Sequence, residues 1–335
     1  TVTDLERRGR GGMVTSLFKV SDYLARRGHD VTVLSDIEST GATRAGAFWS
    51  HEFWGEYDCL IANRGVGDGY PDIRAKSHIL WTHDLPHSGF IPEPRTIRAF
   101  ACTVFMSRYA EQVWRAFYHD IGRSAFIPNG VDKTIFYPRQ KDLGYLLYAS
   151  APNRGLKRLP FIFDCIRSRA KKPVRCRAYS NMNALHPGEV RDEGQDGFAL
   201  TYKELQESAV DHQDPVPQDV LANEMGKAGL LLMPTDYPEI CSNIVLQALV
   251  SGTPVITTGG LGATPEWVKH RRNGMLTDWK TEDYMVYQVD FIRKVLEVLD
   301  NEGRHRQMIW RARRSKVLSW DEVGSRWERL IRRYS

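Results

Sequence analysis

The sequence predicts an α/β protein made of two Rossmann-like halves in tandem. Three observations lead there. The chain opens as strand, glycine-rich loop, helix and strand. A second alternation of strands and helices starts at Tyr145, after turn chemistry at Pro128-Asn129-Gly130-Val131-Asp132 and a linker-like stretch at 137–144. At 335 residues the chain is also long for one hydrophobic core and suits two.

In the first half, residues 2–5 end a strand and 6–12 (ERRGRGG) form a basic glycine-rich loop. Residues 13–27 are helical, because Leu17, Phe18, Tyr23 and Leu24 recur at helix spacing, and Gly28 stops the run. Strands are predicted at 30–34, 59–62, 78–81, 102–105 and 125–127, with a helix at 107–118. The loop lacks both a clean GxGxxG and the P-loop Lys-Ser/Thr, which argues against a dinucleotide or ATP site. In the second half, strands at 146–149, 174–178, 198–202, 230–233 and 254–257 alternate with helices at 159–169 and 218–228. Helices at 281–299 and 320–333 close the chain, around a charged segment at 311–316.

A net charge of +5 (46 basic against 41 acidic residues) fits an anionic small ligand or a lipid surface and does not demand nucleic acid. Five scattered cysteines, Cys59, Cys102, Cys165, Cys176 and Cys241, include no CxxC pair, so a disulfide framework or structural zinc is not expected and a reducing, cytoplasmic setting is. No apolar run reaches the ~18 residues of a membrane span, and there is no signal-peptide layout. The last helix carries Arg326, Arg329, Arg332 and Arg333 beside Trp320, Trp327, Leu330 and Ile331. Packing on the first half is favoured for it over peripheral contact with anionic lipid at a membrane's inner face.

The most informative stretch is 234–254, PTDYPEICSNIVLQALVSGTP. It follows the apolar run Leu230-Leu231-Leu232-Met233 and places Glu239 just before a cap-like Ser242-Asn243 and an apolar helix broken by Gln247. A helix start aims free N–H groups and a positive dipole end at an anion. A carboxylate beside it suggests a ligand with both phosphates and hydroxyls, such as a nucleotide sugar.

Segments along nearly the whole chain resemble the family 4 retaining glycosyltransferases of the GT-B fold. They are Gly11-Gly12, Trp81-Thr82-His83-Asp84, PNGVDKTIFYP at 128–138, APNRGLKRL at 151–159, VPQDVLANEMGKAGLLLMPTDYPE at 216–239, SGTPVITTGGLGATPEWV at 251–268 and SWDEVGSRWERL at 319–330. The resemblance implies two Rossmann-like domains whose parallel sheets face a deep inter-domain cleft. Residues 1–138, completed by the helix at 319–335, would be the acceptor domain, and 139–318 the nucleotide-sugar domain. It implies hexose transfer from a UDP- or GDP-sugar to a hydroxyl of a glycan, lipid or small molecule, with no cofactor and no metal.

The resemblance also assigns roles. Arg154 would stabilise the leaving diphosphate, Glu239 orient the donor hexose and His83 assist near the anomeric carbon. Lys157 would supply a second cation, and the N–H groups of Ile240, Cys241, Ser242 and Asn243 would cover sugar and phosphate. Gly11, Gly12, Asn129 and Ser150 would line the donor site, Asn181, Met182 and Val216 the base pocket, and Gln247 would contact the ribose. Two positions depart from the family pattern. Gln247 stands where the family usually has Glu, and Ser150 stands near its first basic position. The Gln keeps an acceptor but loses charge-assisted strength, about 1 kcal/mol. Asp211, His212 and Asp214 read as a polar loop rather than a metal site, and His87 as structural. The aromatics Phe48, Trp49, Phe53, Trp54 and Tyr70 suit either sugar stacking or core. A sugar-nucleotide epimerase and a binding protein without turnover are the alternatives.

Overall fold

The computed structural model describes residues 11–34, 40–50, 55–64, 73–86, 94–182, 197–279 and 283–335. The strand expected at 2–5, Arg7, Arg8 and Arg10 of the basic loop, and Phe53, Trp54, Tyr70 and His87 lie outside these residues. The chain divides into two compact units, one of Gly12–Gly130 with Leu318–Ser335, the other running through Val131–Val317.

In the first unit, α1 (Gly12–Arg26) leads to β1 (Thr32–Leu34), followed by β2 (Gly41–Ala42) and β3 (Phe48–Ser50). β1 pairs parallel with β3, and β2 antiparallel with β3. Trp49 is therefore core, at 1% exposure. A separate all-parallel sheet contains β4 (Tyr57–Asn63), β5 (Ala75–Trp81), β6 (Cys102–Phe105) and β7 (Ser124–Phe126), in that order. Helices α2 (Pro94–Ala99) and α3 (Arg108–Tyr118) connect its strands, and Ser107 caps α3 by accepting from Ala110 N.

The last helix, α10 (Trp320–Tyr334), packs on α1. Ser319 and Glu322 form a reciprocal capping box at its start. Trp320, Val323 and Trp327 join Val20, Leu24, Ile79, Trp81, Val104 and Ile127 in one core. Gly324 admits the Tyr23 ring, since a Cβ there would lie 2.2 Å from Tyr23 Cγ. Gly130, in the turn read from the sequence, lets the chain pass the Ser319–Trp320 backbone, where a Cβ would meet Trp320 N at 2.8 Å.

The second unit is a doubly wound sheet. Its strands are β8 (Asp142–Tyr148), β9 (Arg175–Tyr179), β10 (Val210–Gln213), β11 (Ala228–Met233), β12 (Val255–Gly259) and β13 (Gly274–Asp278). All pair in parallel in the order β10-β9-β8-β11-β12-β13, so the order reverses between β8 and β11. The linking helices are α4 (Leu159–Arg169), α5 (Ala199–Glu207), α6 (Gln218–Lys227), α7 (Asn243–Val250), α8 (Tyr284–Leu299) and α9 (Glu302–Ala312). α4 packs on α8, and α6 on α7.

Several sequence expectations are corrected. Residues 198–202 start a helix, not a strand: Thr201 and Leu205 of α5 are buried one turn apart, and the strand follows as β10. The linker-like 137–144 runs into β8, which begins at Asp142. The charged 311–316 overlaps the end of α9, a helix not foreseen, and β13 was also not foreseen.

Candidate active site

In an open parallel sheet the crevice at the carboxyl ends of the strands, where the order reverses, is where ligands bind. Here that point lies between β8 and β11, and the two loops leaving those strands carry Arg154 and Glu239.

After β8, Pro152–Arg154 makes one 3₁₀ turn and Leu156–Arg158 a second. Gly155 joins them in the left-handed region at φ 95°. Its missing side chain is what lets the two loops touch: a Cβ would sit 2.0 Å from Pro234 O. Tyr148, buried below, donates its hydroxyl to Ala151 O at 2.8 Å. Burial pushes that phenol well above its usual range, so it remains a neutral donor.

The loop after β11 is pinned from below. Arg158, with only 4% of its side chain exposed, donates to Pro234 O (3.1 Å) and to Asp236 Oδ2 (2.6 Å). Its guanidinium lies against Trp279, Tyr284 and Tyr287, 5.2–5.9 Å from the ring centres. Burial works to raise the Asp236 carboxyl, but the hydrogen bond and charge of Arg158 outweigh it, and the group sits below its ordinary value. Thr258 Oγ1 bonds to Thr235 O and lies 2.7 Å from Tyr287 Oη.

On this base stand Arg154 and Glu239. Arg154 Nε donates to Glu239 Oε1 at 2.7 Å, and its guanidinium lies 3.5 Å over the Tyr237 ring. Both side chains are mostly buried, at 20% and 14% exposure. The Glu239 backbone is fixed as well: Ala263 N donates to Glu239 O at 2.6 Å, and a Cβ on Gly262 would meet Glu239 N and O at 2.6 Å. The resemblance gave these two residues separate ligands. The structure joins them to each other.

Ile240, Cys241 and Ser242 are buried at the entry to α7, and Asn243 is its first residue. Ser242 holds the cap position, yet its side chain does not cap the helix and instead lies 3.9 Å from Met233 Sδ. Gln247, one turn on, donates from Nε2 to Gln218 Oε1 at 3.0 Å. Lys157 is exposed, with its ammonium 5.9 Å from the Tyr284 ring centre.

The loops after β8, β9 and β10 are tied together. Ser180 Oγ donates to Ser150 O (2.6 Å), and His212 Nε2 lies 2.6 Å from Ser180 O. His212 stacks on Tyr202 with ring planes 9° apart, and Tyr202 Oη accepts from Met182 N at 3.1 Å. Asn181 Nδ2 donates to Asp214 Oδ1 at 2.7 Å, two residues before the half-buried Val216. Asp211 is paired with Arg177. Among the described residues no group of three or more His, Cys, Asp or Glu side chains is arranged to hold a metal ion.

In the first unit, Gly12 opens α1 directly after Gly11. Ser16 Oγ lies 2.8 Å from Gly12 O and 2.9 Å from Asn129 Oδ1, so the buried Asn129 braces the first turn of α1. His83 follows β5. Its ring lies 4.6 Å from that of Trp81, which in turn contacts Trp327 of α10. His83 Nε2 is enclosed and has no hydrogen-bond partner among the described residues. Burial, then the nearby Arg64 charge, lower its pKa to about 3, which keeps the imidazole neutral. Arg64, at φ 75°, is ion-paired with Asp84.

Four residues that shape the second unit's site were not singled out in the sequence: Tyr237, Arg158, Asp236 and Gln218. Arg158 carried a faint signal, as a second cation inside the apolar run Leu156–Phe161.

Comparison with known proteins fits this geometry. Residues 157–301 match the family model of group 1 glycosyl transferases, a segment lying wholly in the second unit. No curated protein matches by sequence. Among solved structures, sucrose-phosphate synthase from Thermosynechococcus elongatus superposes with a TM-score of 0.77 at 13% identity, over 98% of this chain and 95% of that one. HepE from Anabaena, in complex with UDP and glucose, gives a TM-score of 0.70 at 13% identity over 96% of each chain. A glycosyltransferase from Rickettsia africae gives 0.71 at 12% identity, over 96% of this chain and 94% of that one. These neighbours share the GT-B fold, and that is the fold of this chain. Its 157–301 segment is similar to the group 1 glycosyl transferases.

Proposed function

We propose that this chain is a retaining, metal-independent hexosyltransferase of family 4, using a UDP- or GDP-sugar as donor and a hydroxyl group as acceptor. The observation that carries the reading is the Arg154–Glu239 pair at the switch point of the sheet. It sets a cation and a carboxylate within one hydrogen bond of each other, which is what a diphosphate joined to a polyhydroxyl sugar requires. The UDP and glucose in the HepE complex support the donor class.

In this reading the first unit receives the acceptor and the second binds the donor. Departure of the nucleoside diphosphate builds charge on its phosphate oxygens. Arg154, once released from Glu239, and the N–H groups of residues 240–243 meet that charge. Lys157 adds an exposed second cation. Glu239 accepts from hexose hydroxyls and so holds the anomeric carbon in place. Gly11, Gly12, Asn129 and Ser150 are further candidate donor contacts, and Asn181, Met182 and Val216 border the base. His83 enters as a neutral hydrogen-bonding group for sugar or acceptor.

Incubating the protein with UDP- and GDP-linked hexoses, with and without a panel of hydroxyl acceptors, tests the proposal. Release of nucleoside diphosphate that depends on an acceptor supports it. Conversion of the donor sugar without acceptor indicates an epimerase instead, and binding without release indicates a protein that has lost turnover. No binding of any nucleotide sugar overturns it.

A further inference from the structure

Arg154 is held in two ways, and they differ in what they occupy. Its Nε donates to Glu239 Oε1 at 2.7 Å, and its guanidinium carbon lies 3.5 Å from the centre of the Tyr237 ring. Among the described residues the guanidinium makes no other hydrogen bond. At that distance the group must lie nearly flat on the ring. Turned edge-on, it would drive a nitrogen inside contact distance of the ring carbons.

A guanidinium carries its N–H donors in its plane and none on its faces. Glu239 engages a donor, whereas Tyr237 engages a face. An anion that takes the donors must therefore displace the carboxylate and need not displace the ring.

The ring is itself fixed. Tyr237 N donates to Thr235 Oγ1 at 3.0 Å, and Thr235 is buried, with its carbonyl accepting from Thr258 Oγ1. Tyr237 O accepts from Glu239 N at 2.9 Å. Pro238 follows, which disfavours a helical backbone at Tyr237. Gly262 packs against that proline: a Cβ there would meet Pro238 C at 2.8 Å. Tyr237 thus stands on the pinned loop after β11 and reaches across to the loop after β8, as Asp236 does through Arg158.

We propose that Tyr237 is a positioning residue for the diphosphate. Its ring keeps the Arg154 guanidinium in one plane when Glu239 lets go, so the in-plane N–H groups meet the phosphates without the side chain first becoming free. This rests on the nucleotide-sugar reading above. A long side chain released from its ion pair recovers rotamer freedom, which binding would have to remove again. Ring and carboxylate then act on anion binding with opposite sign: Glu239 competes for Arg154, and Tyr237 prepares it. The aromatic face carries this role, and the phenol hydroxyl does not.

The experiment is calorimetric titration of UDP, UMP, GDP and GMP into wild type, Tyr237→Phe and Tyr237→Leu, with unfolding midpoints taken on the same preparations. Tyr237 is half-buried, so losing the ring does not open the core. The ratio of diphosphate to monophosphate affinity reports the grip on the second phosphate. Tyr237→Leu is expected to lower that ratio about three- to tenfold, the worth of one cation–π contact at a partly exposed site. Tyr237→Phe keeps the face and should keep the ratio. A ratio in Tyr237→Leu equal to that of wild type overturns the assignment, and so does an equal loss of mono- and diphosphate affinity, which marks general damage to the loop. A fall in Tyr237→Phe as large as in Tyr237→Leu overturns it too, as does a wild type with no preference for the diphosphate. Failure of wild type to bind any of the four nucleotides instead overturns the nucleotide-sugar reading itself.

Discussion

Arg154 Nε donates to Glu239 Oε1 at 2.7 Å across 85 residues of sequence, with the Tyr237 ring beneath the guanidinium. The two charges that the donor is proposed to need are therefore engaged with each other. In the proposed function a diphosphate arriving at Arg154 would compete with Glu239, and the carboxylate released would be the group that a hexose hydroxyl then meets.

The contact that makes this pairing possible is the approach of Gly155 to Pro234. Gly155→Ala puts a Cβ within 2.0 Å of Pro234 O at a φ of 95°. The strain and the clash together are expected to cost about 3 kcal/mol or more. Denaturant unfolding checks it through the midpoint, and transfer activity should fall further than stability does, because the two loops must part.

Arg158 and Asp236 form the support underneath. Arg158→Met leaves the carboxylate and Pro234 O without their donor and is expected to destabilise by about 3 kcal/mol. Replacing both partners, Arg158→Met with Asp236→Leu, should recover much of that, since no unpaired charge remains. Because Asp236 titrates below its unfolded value, its contribution is present above about pH 4 and is lost as the pH falls through the lowered folded value. Unfolding followed from pH 6 to pH 3 should show a smaller loss in the double variant than in wild type.

His83 gives a pH effect of another kind. Its folded pKa of about 3 lies below the 6.5 of the unfolded chain, so between those values the unfolded state binds a proton that the folded state does not. Stability attributable to His83 is constant above pH 6.5 and declines as the pH falls from there toward 3. Replacing it with Gln should flatten that part of the stability curve. In the pH–rate profile, no inflection near 6.5 is expected from this residue, and NMR titration of its ring should show no shift change between pH 8 and pH 5.

The second unit was largely legible because its central strands are strongly apolar: β11 and β12 are buried at every position. Edge elements were not. β10 is Val-Asp-His-Gln, with polar groups that an edge strand tolerates, while the apolar Phe198 and Leu200 nearby drew the strand assignment into what is a helix. α9 escaped notice because its charged surface leaves only His305, Met308 and Ala312 buried. For the candidate site, the family resemblance singled out Arg154 and Glu239, but not their pairing. It depends on how two loops pack, and Gly155 and Gly262 govern that packing through backbone contacts that leave no apolar pattern. The partner of Gln247 was hidden for the same reason, since Gln218 lies 29 residues away on another helix.

The central claim is that Glu239 serves the sugar while restraining Arg154, and Glu239→Gln separates the two roles. Titration with UDP or GDP and an initial-rate transfer assay on the same preparation measure both. The account predicts opposite signs: nucleoside diphosphate binds several-fold more tightly because Arg154 is freed, while transfer falls by roughly 10- to 100-fold with the loss of charge-assisted hydrogen bonds to the hexose. Diphosphate affinity that is unchanged or weaker, or transfer at the wild-type rate, would contradict it.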